Sequence, residues 1–179
     1  MPEPGGLARD MLDALRKLGA CAERCEVKHD HPDYAELASG PLAVTIFYGY
    51  GSPPREYMVG VLVELLNGER VRLGEGAGAS PYEALGAAVG RACAAAAALA
   101  RRLLHLLADL ATSPDECGDD ADCRRAASDA ERALAEFIRD SAERAAEAAR
   151  ALGCRSAGDA ERAAEGVKLL ADAIYEGCD

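Results

Sequence analysis

The chain contains no tryptophan and no glutamine, Asn67 is its only asparagine, and aromatic residues make up just 4% of 179 positions. A core short of rings must be filled by aliphatic and small side chains, and helices rich in alanine can approach closely. No apolar run long enough to cross a bilayer stands out: Ala92–Ala100 is alanine-rich and stops at Arg101 and Arg102. The N-terminus opens with Pro2, Glu3 and Pro4 instead of a basic segment followed by an apolar one, so no signal peptide is expected. The expected location is the cytoplasm, or a recombinant host if the sequence is designed. Catalytic signatures are missing too. There is no G-x-S-x-G nucleophile turn, and Gly74, Gly76 and Gly78 lack the lysine of a phosphate-binding loop and the strand–helix–strand context of a dinucleotide fold. No catalytic residue is assigned and no enzyme activity is expected.

What is present is acidic and half apolar, with a net charge of −11. Residues 1–112 hold 11 basic and 14 acidic side chains, and residues 113–179 hold 9 and 17, so −8 of that charge lies in the C-terminal part. Such a balance disfavours nucleic acid and anionic membrane as partners, because phosphate binding depends on cations that release counterions. Arginine greatly outnumbers lysine. That bias fits a GC-rich genome, but with the missing amides and repeated helix caps it equally fits a computationally idealised sequence, the origin favoured here.

The stretch Asn67–Ala84 carries the most structural information. Asn67-Gly68 suits a type I′ hairpin turn with positive φ at both central positions. Ser80-Pro81-Tyr82-Glu83 forms a capping box that starts a helix predicted to reach about Leu110. Upstream, Leu7, Met11, Leu12, Leu15 and Leu18 mark a first amphipathic helix. Cys25–His31, Leu42–Tyr48, Tyr57–Leu66 and Arg70–Leu73 read as strands. Tyr57–Leu66 is apolar on both faces, with Met58, Leu62 and Leu66 opposite the valines, which predicts a central strand at least partly covered on two sides. Downstream, Leu134, Phe137, Ile138, Ser141, Ala145, Ala148 and Leu152 define one helical stripe, and Ala160, Ala163, Val167, Leu170, Ala171 and Ile174 a second, separated by Gly153. The predicted class is α+β: a small antiparallel sheet of three to four strands packed by helices, plus a C-terminal antiparallel helical hairpin. The expected units are residues 1–112, an α-β-β-β-α core with a long second helix, and residues 113–179, the hairpin packed on it.

The order of elements through Gly74-Glu-Gly-Ala-Gly78, Ser80, Glu83-Ala84 and Ala87-Ala88 resembles the second half of a double-stranded RNA-binding domain, with Leu7–Leu18 as that family's first helix. The resemblance spans about the first half of the chain. It implies recognition of A-form RNA by shape and charge, yet Pro81, Tyr82 and Leu85 stand where the family places its binding lysines.

Several residue groups carry candidate chemistry. Cys21, Cys25, His29 and His31 supply ligand types suited to zinc, although the chain would have to reverse within three residues to gather them. Seven cysteines leave at least one thiol unpaired. In an antiparallel hairpin Cys178 returns towards Cys117 or Cys123, so Cys123–Cys178 is the candidate disulfide, while Cys93 reads as core filler. Tyr48, Tyr50, Arg55 and Tyr57 form a Tyr/Gly/Ser/Arg segment with the chemistry of a binding loop. Gly86 and Gly90, on the small-residue stripe of the long helix, leave room for a ligand between helix and sheet. The expected function is that of a non-enzymatic binding or scaffold protein whose protein or small-molecule partner meets the tyrosine segment or the sheet–helix pocket. A degenerate RNA-binding-like domain used for protein contacts or weak RNA recognition is the alternative, and a small zinc-bound module the third; no other cofactor is expected.

Overall fold

The computed structural model describes residues 5–20, 24–49, 56–112 and 116–177. Helix α1, Gly6–Lys17, buries Leu7, Ala8, Met11, Ala14 and Leu15. Five strands follow: β1 Glu26–His31, β2 Tyr34–Ser39, β3 Leu42–Tyr48, β4 Tyr57–Glu64 and β5 Arg70–Gly78. They form one antiparallel sheet in chain order, β1-β2-β3-β4-β5. Helix α2 covers Pro81–Thr112, α3 Ala121–Ala151 and α4 Ala157–Gly177.

The α+β class stands, with five strands in place of three to four. The additional strand is β2, whose inward positions Ala35 and Leu37 are fully buried while Tyr34, Glu36 and Ala38 alternate on the other face. Its small and polar residues give little β-branched signal, which hides it in the sequence. The turn after β4 also departs from expectation. Only Gly68 has positive φ, at 81°; Gly68 N donates to Leu65 O at 2.9 Å, and Leu65 N donates to Glu69 O at 2.8 Å. The loop is therefore a three-residue connection closed by a left-handed glycine, and the Asn67 side chain accepts from Glu69 N at 3.1 Å.

Strand β5 runs past Leu73 to Gly78, and its glycines explain how α2 docks. A Cβ on Gly74 would lie 2.5 Å from Ala88 O and 2.7 Å from Ala92 N; one on Gly76 would lie 2.6 Å from Ala88 N and collide with Ala84 O. A Cβ on Gly78 would lie 2.9 Å from Ala84 N. Ala84, Ala88 and Ala92 are fully buried against this strand. Backbone meets backbone here, so the interface leaves no volume for a ligand. Half of the expected capping box forms, with Glu83 N donating to Ser80 Oγ at 3.2 Å, while the Glu83 carboxylate accepts from Ala79 N at 3.1 Å, one residue before the cap.

With 32 residues, α2 is about 48 Å long and outruns the sheet. Its length and composition meet those of a membrane span, unlike the short run Ala92–Ala100 considered alone. The first half lies on β5, and α3 and α4 pack along the helix, while Tyr82, Arg91, Arg102 and Leu106 stay exposed. Helices α3 and α4 are antiparallel, as three contacts show. Arg150 meets Glu161 at 2.8 Å, Arg139 meets Asp172 at 3.6 Å and Tyr175 meets Glu136 at 3.3 Å, stepping up one helix as they step down the other. Asp120 caps α3 by accepting from Asp122 N and Cys123 N. Gly153, at φ 67°, turns the chain between α3 and α4 against the end of α1, where a Cβ would lie 2.6 Å from Gly19 O.

Two disulfides join pairs of described residues, Cys93–Cys154 and Cys117–Cys123, and Cys25 is disulfide-bonded as well. Cys93 is thus not core filler but ties the middle of α2 to the α3–α4 turn, where Ser156 Oγ also donates to Cys93 O at 3.2 Å. The expected Cys123–Cys178 bridge is corrected: Cys123 pairs with Cys117 because the Gly118-Asp119-Asp120 turn folds back over six residues, and Cys178 lies outside the described residues.

Candidate functional site

The sheet has two unlike faces. Ala35, Leu37, Val44, Ile46, Val59, Val61 and Val63 point into the core under α1 and α2 and are buried. The alternate positions form three cross-strand rows on the opposite face. The rows are Tyr34–Phe47–Met58–Ala77, Glu36–Thr45–Gly60–Glu75 and Ala38–Ala43–Leu62–Arg72. Strand β4 is central, as expected, and its second side is only partly covered: Gly60 and Leu62 are half-buried, while Met58 is 57% exposed and its neighbour Phe47 50%. The apolar signal on that side of β4 was legible, but what covers it depends on where the helices go, and all of those contacting the sheet's interior lie on the valine face.

The exposed row borders a cleft of about 310 Å³ whose floor is Gly60. A Cβ on Gly60 would stand 3.0 Å from Thr45 Oγ1, which donates a long hydrogen bond to Gly60 O at 3.4 Å, so glycine keeps this floor low. Phe47, Met58 and Ala77 form the apolar wall and Arg72, Glu75 and Arg91 the polar one. Arg72 pairs with Glu75, and Arg91 reaches round the β5 edge from α2 to donate to Glu75 O at 2.7 Å. That last bond also blocks part of an otherwise open sheet edge.

Beside the cleft, the Tyr34 and Phe47 rings pack 4.6 Å apart, and Tyr34 OH donates to Glu36 at 2.8 Å. Arg70 crosses the face to donate to Glu36 Oε1 at 2.9 Å and approaches Glu64 at 3.8 Å. Glu36 is only 4% exposed. Burial opposes its charge, but the hydrogen bonds from Arg70 and Tyr34 and the Arg70 charge outweigh it and hold the carboxyl below the usual glutamate range. Burial first, then the hydrogen bond and charge of Glu36, push the Tyr34 phenol up to about 12. The hydrogen bond to Glu36 likewise raises Arg70. This half of the face is a satisfied polar cluster, whereas the Gly60 half is open.

The residues singled out from sequence fall elsewhere. Tyr48 and Tyr57 are cross-strand partners with rings 4.8 Å apart, closing the end of the β3–β4 pair, where Gly49 N donates to Glu56 O at 2.9 Å. Tyr50 and Arg55 lie outside the described residues. Gly86 and Gly90 do not line a sheet–helix pocket: Gly86 faces Leu18, 3.9 Å from where a Cβ would stand, and Gly90 is exposed with open space before it. The glycines that permit close packing belong to β5. Of the four zinc candidates, Cys25, His29 and His31 lie among the described residues. Cys25 is disulfide-bonded, so its sulfur is not a thiolate ligand, and Cys21 lies outside the described residues. His29 and His31 sit exposed on the edge strand β1, His29 with its ring 6.1 Å from that of Tyr34. Among the described residues, no group of three or more His, Cys, Asp or Glu side chains gathers with metal-ligating geometry.

Comparison with protein-family models, with curated proteins and with solved structures finds no match.

Proposed function

We propose that the chain is a non-enzymatic binding or scaffold protein that receives its partner on the open face of the sheet, at the Gly60 cleft. The observation that carries this reading is the pair Phe47 and Met58, half or more exposed beside a hollow floored by glycine. An uncovered sheet face ordinarily carries polar residues at alternate positions; here one cross-strand row is aromatic and aliphatic. Arg72, Glu75 and Arg91 add a polar wall that would orient a protein segment or a small molecule lying over the apolar one. The partner surface proposed here is this open face and not the filled α2–β5 interface.

Recognition of double-stranded RNA is the weaker alternative. At the start of α2 the positions that would need cations are Pro81, Tyr82 and Leu85, and Leu85 is fully buried. The disulfide-bonded cysteines favour an oxidising setting over a reducing cytoplasm.

A fragment screen read by amide chemical shifts tests the binding face. Hits are expected to move Thr45, Gly60 and Ala77, and Gly60→Val, which raises the cleft floor, should abolish them while leaving the fold intact. Hits that cluster on the helices, or that survive Gly60→Val unchanged, would sink the reading.

A further inference from the structure

We propose that the partner on this face is a second copy of the chain, docked sheet to sheet about a two-fold axis; the inference rests on the binding-face reading above and names its occupant. Three observations support it. The first is shape. A two-fold contact must be self-complementary, and this face places protruding Phe47 and Met58 directly beside the Gly60 hollow, so each copy offers both the knob and the recess that the other needs.

Charge is the second. The molecule carries −11, and the helical C-terminal part accounts for −8 of it, so a contact between helical surfaces would bring like charges together. The open sheet face is balanced: Glu36, Glu64 and Glu75 are matched by Arg70, Arg72 and Arg91. Two copies can meet there without that repulsion, because its charges are already paired within each copy.

The third observation is area. Five strands spaced about 4.8 Å apart and roughly 25 Å long present at most on the order of 600 Å² per copy, hence up to about 1,200 Å² for the pair, which reaches only the lower end of specific stable interfaces. The expected dimer is accordingly concentration-dependent and not obligate.

Sedimentation equilibrium of the full-length chain over a concentration series provides the test. A monomer–dimer equilibrium is expected, and Phe47→Glu combined with Met58→Glu should leave a monomer with unchanged far-UV circular dichroism. In a sample mixing isotope-labelled and unlabelled protein, filtered nuclear Overhauser effects should connect Met58 of one copy with residues lining the Gly60 cleft of the other, a measurement that needs no variant and decides the matter if the double variant misfolds. A wild-type chain that stays monomeric at its solubility limit overturns the inference, as does a dimer that survives the double substitution or lacks those intermolecular contacts. A monomer that still binds fragments at Gly60 would remove the second copy as occupant and leave the binding face standing. Failure of both experiments would remove the face itself.

Discussion

Gly76 shows how much one missing methyl group decides. Its α-hydrogen faces Ala84 O and Ala88 N at a separation no Cβ can share, and both obstructing atoms are backbone. Gly76→Ala must push α2 off β5, and overpacking of that kind costs about 1–3 kcal/mol or more. A lowered urea midpoint with an unchanged slope is the expected result; wild-type stability in the variant would contradict backbone-to-backbone packing. The same logic was only half visible in the sequence. A Gly-x-Gly-x-Gly run before a capped helix signalled a special backbone, yet nothing local says that the glycines face a helix, and the attention that Gly86 and Gly90 drew was misplaced because a helical glycine needs a neighbour to matter.

Glu36 and Tyr34 give the residue scale its pH dependence. The Glu36 carboxyl is held below its ordinary value, so its contribution to stability is complete above the usual glutamate range of about 4.3 and is lost as pH falls through the lower folded value. Tyr34 runs the other way: with its phenol raised to about 12, its contribution is complete below the ordinary tyrosine value of about 10 and disappears as pH climbs from there through the folded value. Glu36→Gln should therefore flatten the acid limb of the stability curve and lower the alkaline rise in Tyr34 ionisation, measured by ultraviolet titration against Tyr34→Phe. An unchanged tyrosine titration in Glu36→Gln would mean that the hydrogen bond between them is not felt.

At the scale of elements, the disulfide between Cys93 and Cys154 spans 61 residues and holds α2 to the α3–α4 turn, whereas Cys117–Cys123 closes only 6. In the chain-entropy account the longer loop is worth about 4 kcal/mol and the shorter about 2. Cys93→Ala with Cys154→Ala should lower the melting temperature more than Cys117→Ala with Cys123→Ala, read by calorimetry under oxidising conditions; the reverse order would show that the unfolded chain is not what these bonds restrain. Helices were the most legible elements, because Leu7–Leu18 and the two alanine-rich stripes each carried a helical period, the Ser80 box a start signal and Gly153 a stop. Strand β2 was the least, since Ala35 and Leu37 alone mark its buried side. Pairing of the cysteines could not be read either: it required knowing that Gly153 brings Cys154 back to α2, a tertiary fact that sequence spacing does not contain.

For the whole molecule, charge is as unevenly spread as the folding layers. The acidic helices α3 and α4 carry surface ion pairs such as Arg150–Glu161 and Arg139–Asp172, each of small individual worth. The excess of negative charge around them opposes compactness. Moderate salt should consequently raise the melting temperature instead of lowering it, because screening relieves more repulsion than it removes from these pairs. A fall in melting temperature between low and physiological ionic strength would place the pairs, and not the net charge, in control.

The length of α2 has a consequence for how the chain comes into being. Its first half can settle on β5 as soon as it leaves the ribosome, because the sheet precedes it. Its second half presents Leu103, Leu104 and Leu107 to partners on α3 and α4 that are still to be made, Val167 and Ala171 near the end of the sequence among them. During synthesis the helix is thus buried at one end and bare at the other, and the nascent protein exposes a leucine-rich surface for as long as the last third of the chain takes to arrive.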